Sequence, residues 1–146
     1  MKTLTRASVA ALRSAPVAAS PPTRAARTPR ILIVDDEATL REIVADHFGS
    51  VNYEVHTATS GVDALTSIVR ARPDVVLLAI TMPPMSGVEV LKEALKIDPT
   101  ITVIMVSGAS DIAVTAEAFR HGAFAFVPKP FDFRYLLHLI AVSIGT

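Results

Sequence analysis

Residues 30–144 alternate five times between short apolar runs and longer amphipathic stretches, with brief connections between them. No other feature of the sequence constrains the fold as strongly. RILIV (30–34) reads as a buried strand, β1. EATLREIVADHFG follows; Leu40, Ile43, Val44 and Phe48 recur at helical spacing in α1 (37–48), and Gly49 stops it. YEVHTA (53–58) alternates as β2. Ser60 is placed to cap α2, which runs through Val62, Leu65, Ile68 and Val69 and ends before Pro73. DVVLLA (74–79) is β3, GVEVLKEALK (87–96) is α3, and ITVIMV (101–106) is β4. Asp111 to His121 forms α4, AFAFV (123–127) forms β5, and Phe133 to Ile144 forms α5. Such alternation implies a parallel α/β sheet with helices on both faces and right-handed crossovers. In sheets of this kind, function gathers at the carboxyl ends of the strands.

The chain has 146 residues, room for one ordinary domain, and half of them are apolar. It has no cysteine, which excludes disulfides and thiolate metal sites and suits a reducing, cytoplasmic setting. No apolar run reaches the length of a membrane span, so no membrane association is expected. The zero net charge conceals an asymmetry. Residues 1–30 carry six bases and no acid, so the remainder holds all 14 acids and eight bases. The expected division is a disordered basic tail rich in Ala, Arg, Pro and Ser over residues 1–28, and a folded domain over 29–146. A transit peptide is the competing reading of the tail. Its bases are scattered and no aromatic lies among them, so nucleic-acid binding is not expected.

Four strand ends bring chemistry to one rim. Asp35 and Asp36 follow β1, Ala79 ends β3, Ser107 follows β4 and Lys129 follows β5. Singly these are ordinary turn and cap residues. Together, in the segments ILIVDDE, PDVVLLAITMPPMSG, IMVSGASD and FVPKPF, they resemble a response-regulator receiver domain of two-component signalling. The resemblance covers about residues 29–145. It implies a flavodoxin-like (βα)5 doubly wound sheet with strand order 2-1-3-4-5. It also implies roles for individual residues. Asp35, Asp36 and the Thr81 carbonyl would hold Mg²⁺, a hard ion suited to oxygen ligands. Lys129 would pair with a phosphoryl group, Ser107 would hydrogen-bond it, and Ser107 with Phe126 would form the switch.

The departure is at the centre. The family's phosphorylated aspartate falls on Ala79, whose methyl group is neither a nucleophile nor a metal ligand. No catalytic residue and no enzyme activity are therefore expected, and Mg²⁺ binding should be weakened. Three accounts of Ala79 are open. The chain is a pseudo-receiver that works by binding; or it is an engineered phosphorylation-dead mutant of an ordinary single-domain or truncated regulator; or a hydroxyl of Thr81, Ser86 or Ser107 takes the phosphoryl group. The third lacks a general base. A flavin-binding flavodoxin would need a phosphate-binding loop after β1, where this chain has DDEA.

Without phosphotransfer, function falls to binding. In α5, Phe133, Leu136, Leu137, Ile140 and Ile144 form a core-facing stripe. Tyr135, Leu139 and Val142 form a second apolar set, either a broadened core face or a partner surface. Receivers commonly use the α4-β5-α5 face in this way, so a histidine kinase or other signalling protein, or a homodimer, is the expected partner. Two residues follow Ile144, so an adaptor, or the receiver fragment of a longer protein, is expected. His47, His56, His121 and His138 show no metal-ligand spacing.

Overall fold

The computed structural model describes residues 28–37, 42, 45–46, 52–108, 112–129 and 132–144. Five parallel strands form one sheet in the order β2-β1-β3-β4-β5, the expected arrangement. They are Arg30–Val34, Glu54–Ala58, Val75–Ala79, Thr102–Ser107 and Ala125–Pro128. The described helices are α2 (Gly61–Ala71), α3 (Gly87–Ile97), α4 (Ile112–Arg120) and α5 (Phe133–Ser143). Of the expected α1, Glu37, Glu42, Ala45 and Asp46 are described; the last three are helical, and Glu37 is not. Its expected apolar face, most of the basic tail, and His47 lie outside the described residues.

Apart from Arg30, Thr102 and Ser107 at their ends, the three inner strands are apolar at every position, because helices cover both faces. Leu32, Val34, Val76, Leu78, Val103 and Met105 point to one side, where they join Ala64, Ile68, Leu91 and Ala94 of α2 and α3. Ile31, Ile33, Val75, Leu77, Ile104 and Val106 point to the other, where Leu136 and Ile140 of α5 are wholly buried. Phe133, Leu137 and Ile144 pack around that second cluster, as the stripe on α5 implied.

Ser60 caps α2 as expected, accepting a hydrogen bond from Asp63 N at 3.2 Å. The buried face of α2 keeps Ile68 and Leu65 of the expected set but not its two valines. Val62 and Val69 are 70% and 55% exposed, whereas Gly61, Ala64 and Ile68 are buried. Small residues set this face because α2 packs closely on its neighbour. A Cβ on Gly61 would lie 2.9 Å from Val90 and 2.8 Å from the Met85 sulfur.

At the amino ends of the strands, Asp74 precedes β3 rather than opening it. It is completely buried. Its carboxylate accepts from Arg30 N at 2.8 Å, its N–H donates to Arg30 O at 2.8 Å, and its carbonyl accepts from Thr102 N at 3.0 Å. One residue thus ties β1 and β4 to β3. The chain passes from β1 outward to β2, then crosses to β3 on the other side of β1. The carboxyl ends of β1 and β3 therefore flank the switch point where ligands settle in open α/β sheets.

Candidate functional site

Asp35 leaves β1 at this switch point. Its N–H donates to Ala58 O at 3.2 Å, and its carboxylate is buried. One carboxylate oxygen accepts from Glu37 N at 3.0 Å and the other from Lys129 Nζ at 3.0 Å. Asp36 points outward and is exposed. Ala79 closes β3, paired with Val106, and is 5% exposed. Ser107 closes β4 and is buried; its carbonyl accepts from Lys129 N at 2.7 Å. That bond fixes where the Lys129 side chain starts, and its ammonium then reaches both Asp35 and, at 3.1 Å, Glu37 Oε1. The sheet thus gathers Asp35, Ala79, Ser107 and Lys129 at one rim.

The loop after Ala79 doubles back on the strand it leaves. Gly87 N donates to Ile80 O at 2.8 Å, which closes the loop. A side chain at Gly87 would collide with the Ala79 carbonyl oxygen and lie 2.8 Å from Ile80 Cα. Met82, 1% exposed, pins the loop into the first core cluster, and the Pro83–Pro84 peptide is cis. Thr81 is exposed. Ser86 caps α3 in a reciprocal pair with Glu89, at 3.2 Å and 2.9 Å. The Ser86 hydroxyl is therefore occupied as a structural acceptor. Beside the loop lies a groove of about 460 Å³, lined by Ile80, Met82, Pro83, Val88 and Val114 with Glu89 and Glu117.

Partial burial alone would push the Lys129 pKa down. Hydrogen bonds and charge from Asp35 and Glu37 outweigh this, and the net shift is upward. The ammonium is thus firmly charged at neutral pH. The donor set falls short of a divalent-cation site. Three carboxylates follow β1, two of them are covered by the ammonium, and the Ala79 side chain offers no oxygen. Among the described residues, no group of three or more His, Cys, Asp or Glu could hold a metal.

Phe126 lies in β5 and is partly buried against the first core cluster. Of the second apolar set on α5, Tyr135 and Val142 are 52% and 55% exposed, while Leu139 packs on the second cluster. The structure adds Ile112 and Phe119 of α4, and Phe124 just before β5, to the exposed apolar residues. Because β5 is the sheet edge and α4 and α5 cover opposite faces, these residues flank one edge of the molecule. His56 bonds Glu54 at 2.7 Å on strand β2; His121 and His138 are exposed. No described helix is long and apolar enough to cross a membrane.

Glu37 escaped the sequence reading, which treated it as the first residue of α1. The signal is the third acid in DDE, directly after Asp35 and Asp36.

Residues 31–141 match the response regulator receiver domain family. The chain belongs to that family. It is 41% identical over 104 residues to the chemotaxis protein CheY of Thermotoga maritima, covering 70% of this chain and 87% of that protein. Identity to the regulatory protein AtoC of Escherichia coli is also 41%, over 103 residues, but there the match spans only 22% of the relative. Among solved structures, a CheY-like response regulator receiver domain protein from Methanospirillum hungatei superposes with a TM-score of 0.79 at 30% identity. That alignment covers 81% of this chain and 94% of the other. A receiver of this size thus spans most of some relatives and about a fifth of others.

Proposed function

We propose that this receiver is silent towards phosphoryl transfer and signals by binding, with Ala79 standing where the family carries its phosphoacceptor aspartate. The observation that carries the reading is the buried Ala79 methyl at the end of β3, on the rim that also holds Asp35, Ser107 and Lys129. A receiver's acceptor must be a nucleophilic carboxylate that also helps neutralise Mg²⁺; a methyl does neither. In this reading Asp35, Asp36 and the Thr81 carbonyl are the remnant of the metal site, which binds Mg²⁺ more weakly than an aspartate-bearing form would. Ser107 and Phe126 remain as the switch residues, and the domain is not an enzyme. It belongs to a two-component phosphorelay as a partner of a histidine kinase or another signalling protein. Contact is made through the α4-β5-α5 face, where Phe119, Phe124, Tyr135 and Val142 are exposed.

The test is intact mass after incubation with Mg²⁺ and a small acyl-phosphate donor. The Ala79→Asp protein should gain one phosphoryl group, while the chain as it stands should gain none. A phosphoryl adduct on the unaltered chain would sink the reading and point to a hydroxyl acceptor.

A further inference from the structure

We propose that Lys129 is the resident cation of the acidic pocket, so that this receiver holds its rim together without a divalent ion, and that Mg²⁺ and the Lys129 ammonium compete for Asp35. This deepens the reading of the same site given above and rests on Ala79 leaving the pocket one carboxylate short.

Three observations carry it. First, Asp35 is 5% exposed, and a buried carboxylate needs a countercharge close by. Lys129 Nζ supplies one at 3.0 Å. Second, the ammonium makes a second short contact, 3.1 Å to Glu37 Oε1. It therefore bridges two carboxylates from the segment following β1, as a small cation would. Third, the contact is built into the fold. The Lys129 N–H bonds the Ser107 carbonyl at 2.7 Å. The lysine is thus held at the rim by β4 as well as by its own strand, across 94 residues of sequence from Asp35. With a methyl at position 79, no acidic side chain at the end of β3 draws the ammonium away from Asp35. A divalent ion arriving at Asp35 would have to approach a fixed positive charge with fewer anionic ligands to offset the repulsion.

The charge, rather than the shape, of the lysine is what matters. Thermal unfolding of the full chain should be followed in EDTA and across a titration with MgCl₂. The proteins compared are the wild type, Lys129→Arg and Lys129→Met. The wild type and Lys129→Arg should unfold at temperatures that do not change through the low-millimolar range. Lys129→Met should rise progressively with MgCl₂, reflecting roughly tenfold or greater tightening of the metal. An equal response from wild type and Lys129→Met, or no response from either, would overturn the proposal. Should Lys129→Met fail to fold, the ammonium signal of Lys129 in the wild type decides by NMR. Its persistence through the titration supports the proposal, and its loss or shift at low MgCl₂ rejects it. A phosphoryl adduct on the wild type would remove the functional reading above while leaving this competition to be judged on its own readout.

Discussion

Position 87 illustrates how much of this site depends on one absent side chain. Gly87 starts α3 directly against the end of β3, and a Cβ there would run into the Ala79 carbonyl and the backbone of Ile80. Backbone cannot move aside as a flexible side chain can. Gly87→Ala should therefore destabilise the domain by about 1–3 kcal/mol, the usual cost of overpacking. Urea unfolding would register this as a lower midpoint at unchanged slope. Lys129 supports a second expectation at this scale. Its pKa is raised in the folded protein, so folding favours the protonated form. Its contribution is complete below the ordinary lysine value of about 10.4 and is lost as pH rises through the folded value. The stability difference between wild type and Lys129→Met should thus be flat near neutrality and shrink in strong alkali. A difference that grew with alkali would contradict the raised pKa. The effect is modest, because the Glu37 side chain is 65% exposed and water screens that half of the pair.

At the scale of elements, α3 is fixed at its start by the Ser86–Glu89 capping box. Ser86→Ala should cost about 1 kcal/mol, visible as a small fall in melting temperature without change in fold. Elements were also where the sequence was most readable. Four apolar runs and one alternating stretch mark the five strands; β1, β3 and β4 read as runs because an inner parallel strand is apolar on both sides, edge strand β2 alternates, and periodicity marks α5. On α2, Leu65 and Ile68 face the core as periodicity implies, but Val62 and Val69 do not, for a physical reason. Helix-to-neighbour approach there uses Gly61 and Ala64, which carry little hydrophobic signal, while the more apolar Val62 and Val69 face water. Strand order came from the family resemblance, since alternation alone does not say on which side of β1 the third strand lies. The rim residues were legible as strand ends. Their pairing was not: Lys129 meets Glu37 across 92 residues, and no local pattern encodes that distance.

On the scale of the molecule, the exposed apolar residues of α4, the β5 approach and α5 gather along one edge. If that edge is where a second copy or a signalling partner docks, polar substitutions should weaken association and leave folding intact. Phe124→Ser with Tyr135→Ser should lower the solution mass of any dimer towards that of one chain, with an unaltered circular dichroism spectrum. Val62→Ser with Val69→Ser, on the far side of the sheet order, should leave the mass unchanged. Equal effects from both pairs would mean that exposed apolar area in general, rather than this edge, drives association.

Main-chain bonds run to both ends of the sheet, but the side-chain tie at each end differs in kind. At the amino end, Asp74 joins neighbouring strands with main-chain and buried carboxylate bonds to Arg30 and Thr102. At the carboxyl end, the tie between β1 and β5 is the tip of one lysine on two carboxylates. Opening that tie needs the displacement of one ammonium group and breaks no rung of the strand ladder, so the rim can be rearranged at the cost of two ion pairs while the sheet beneath it stays whole.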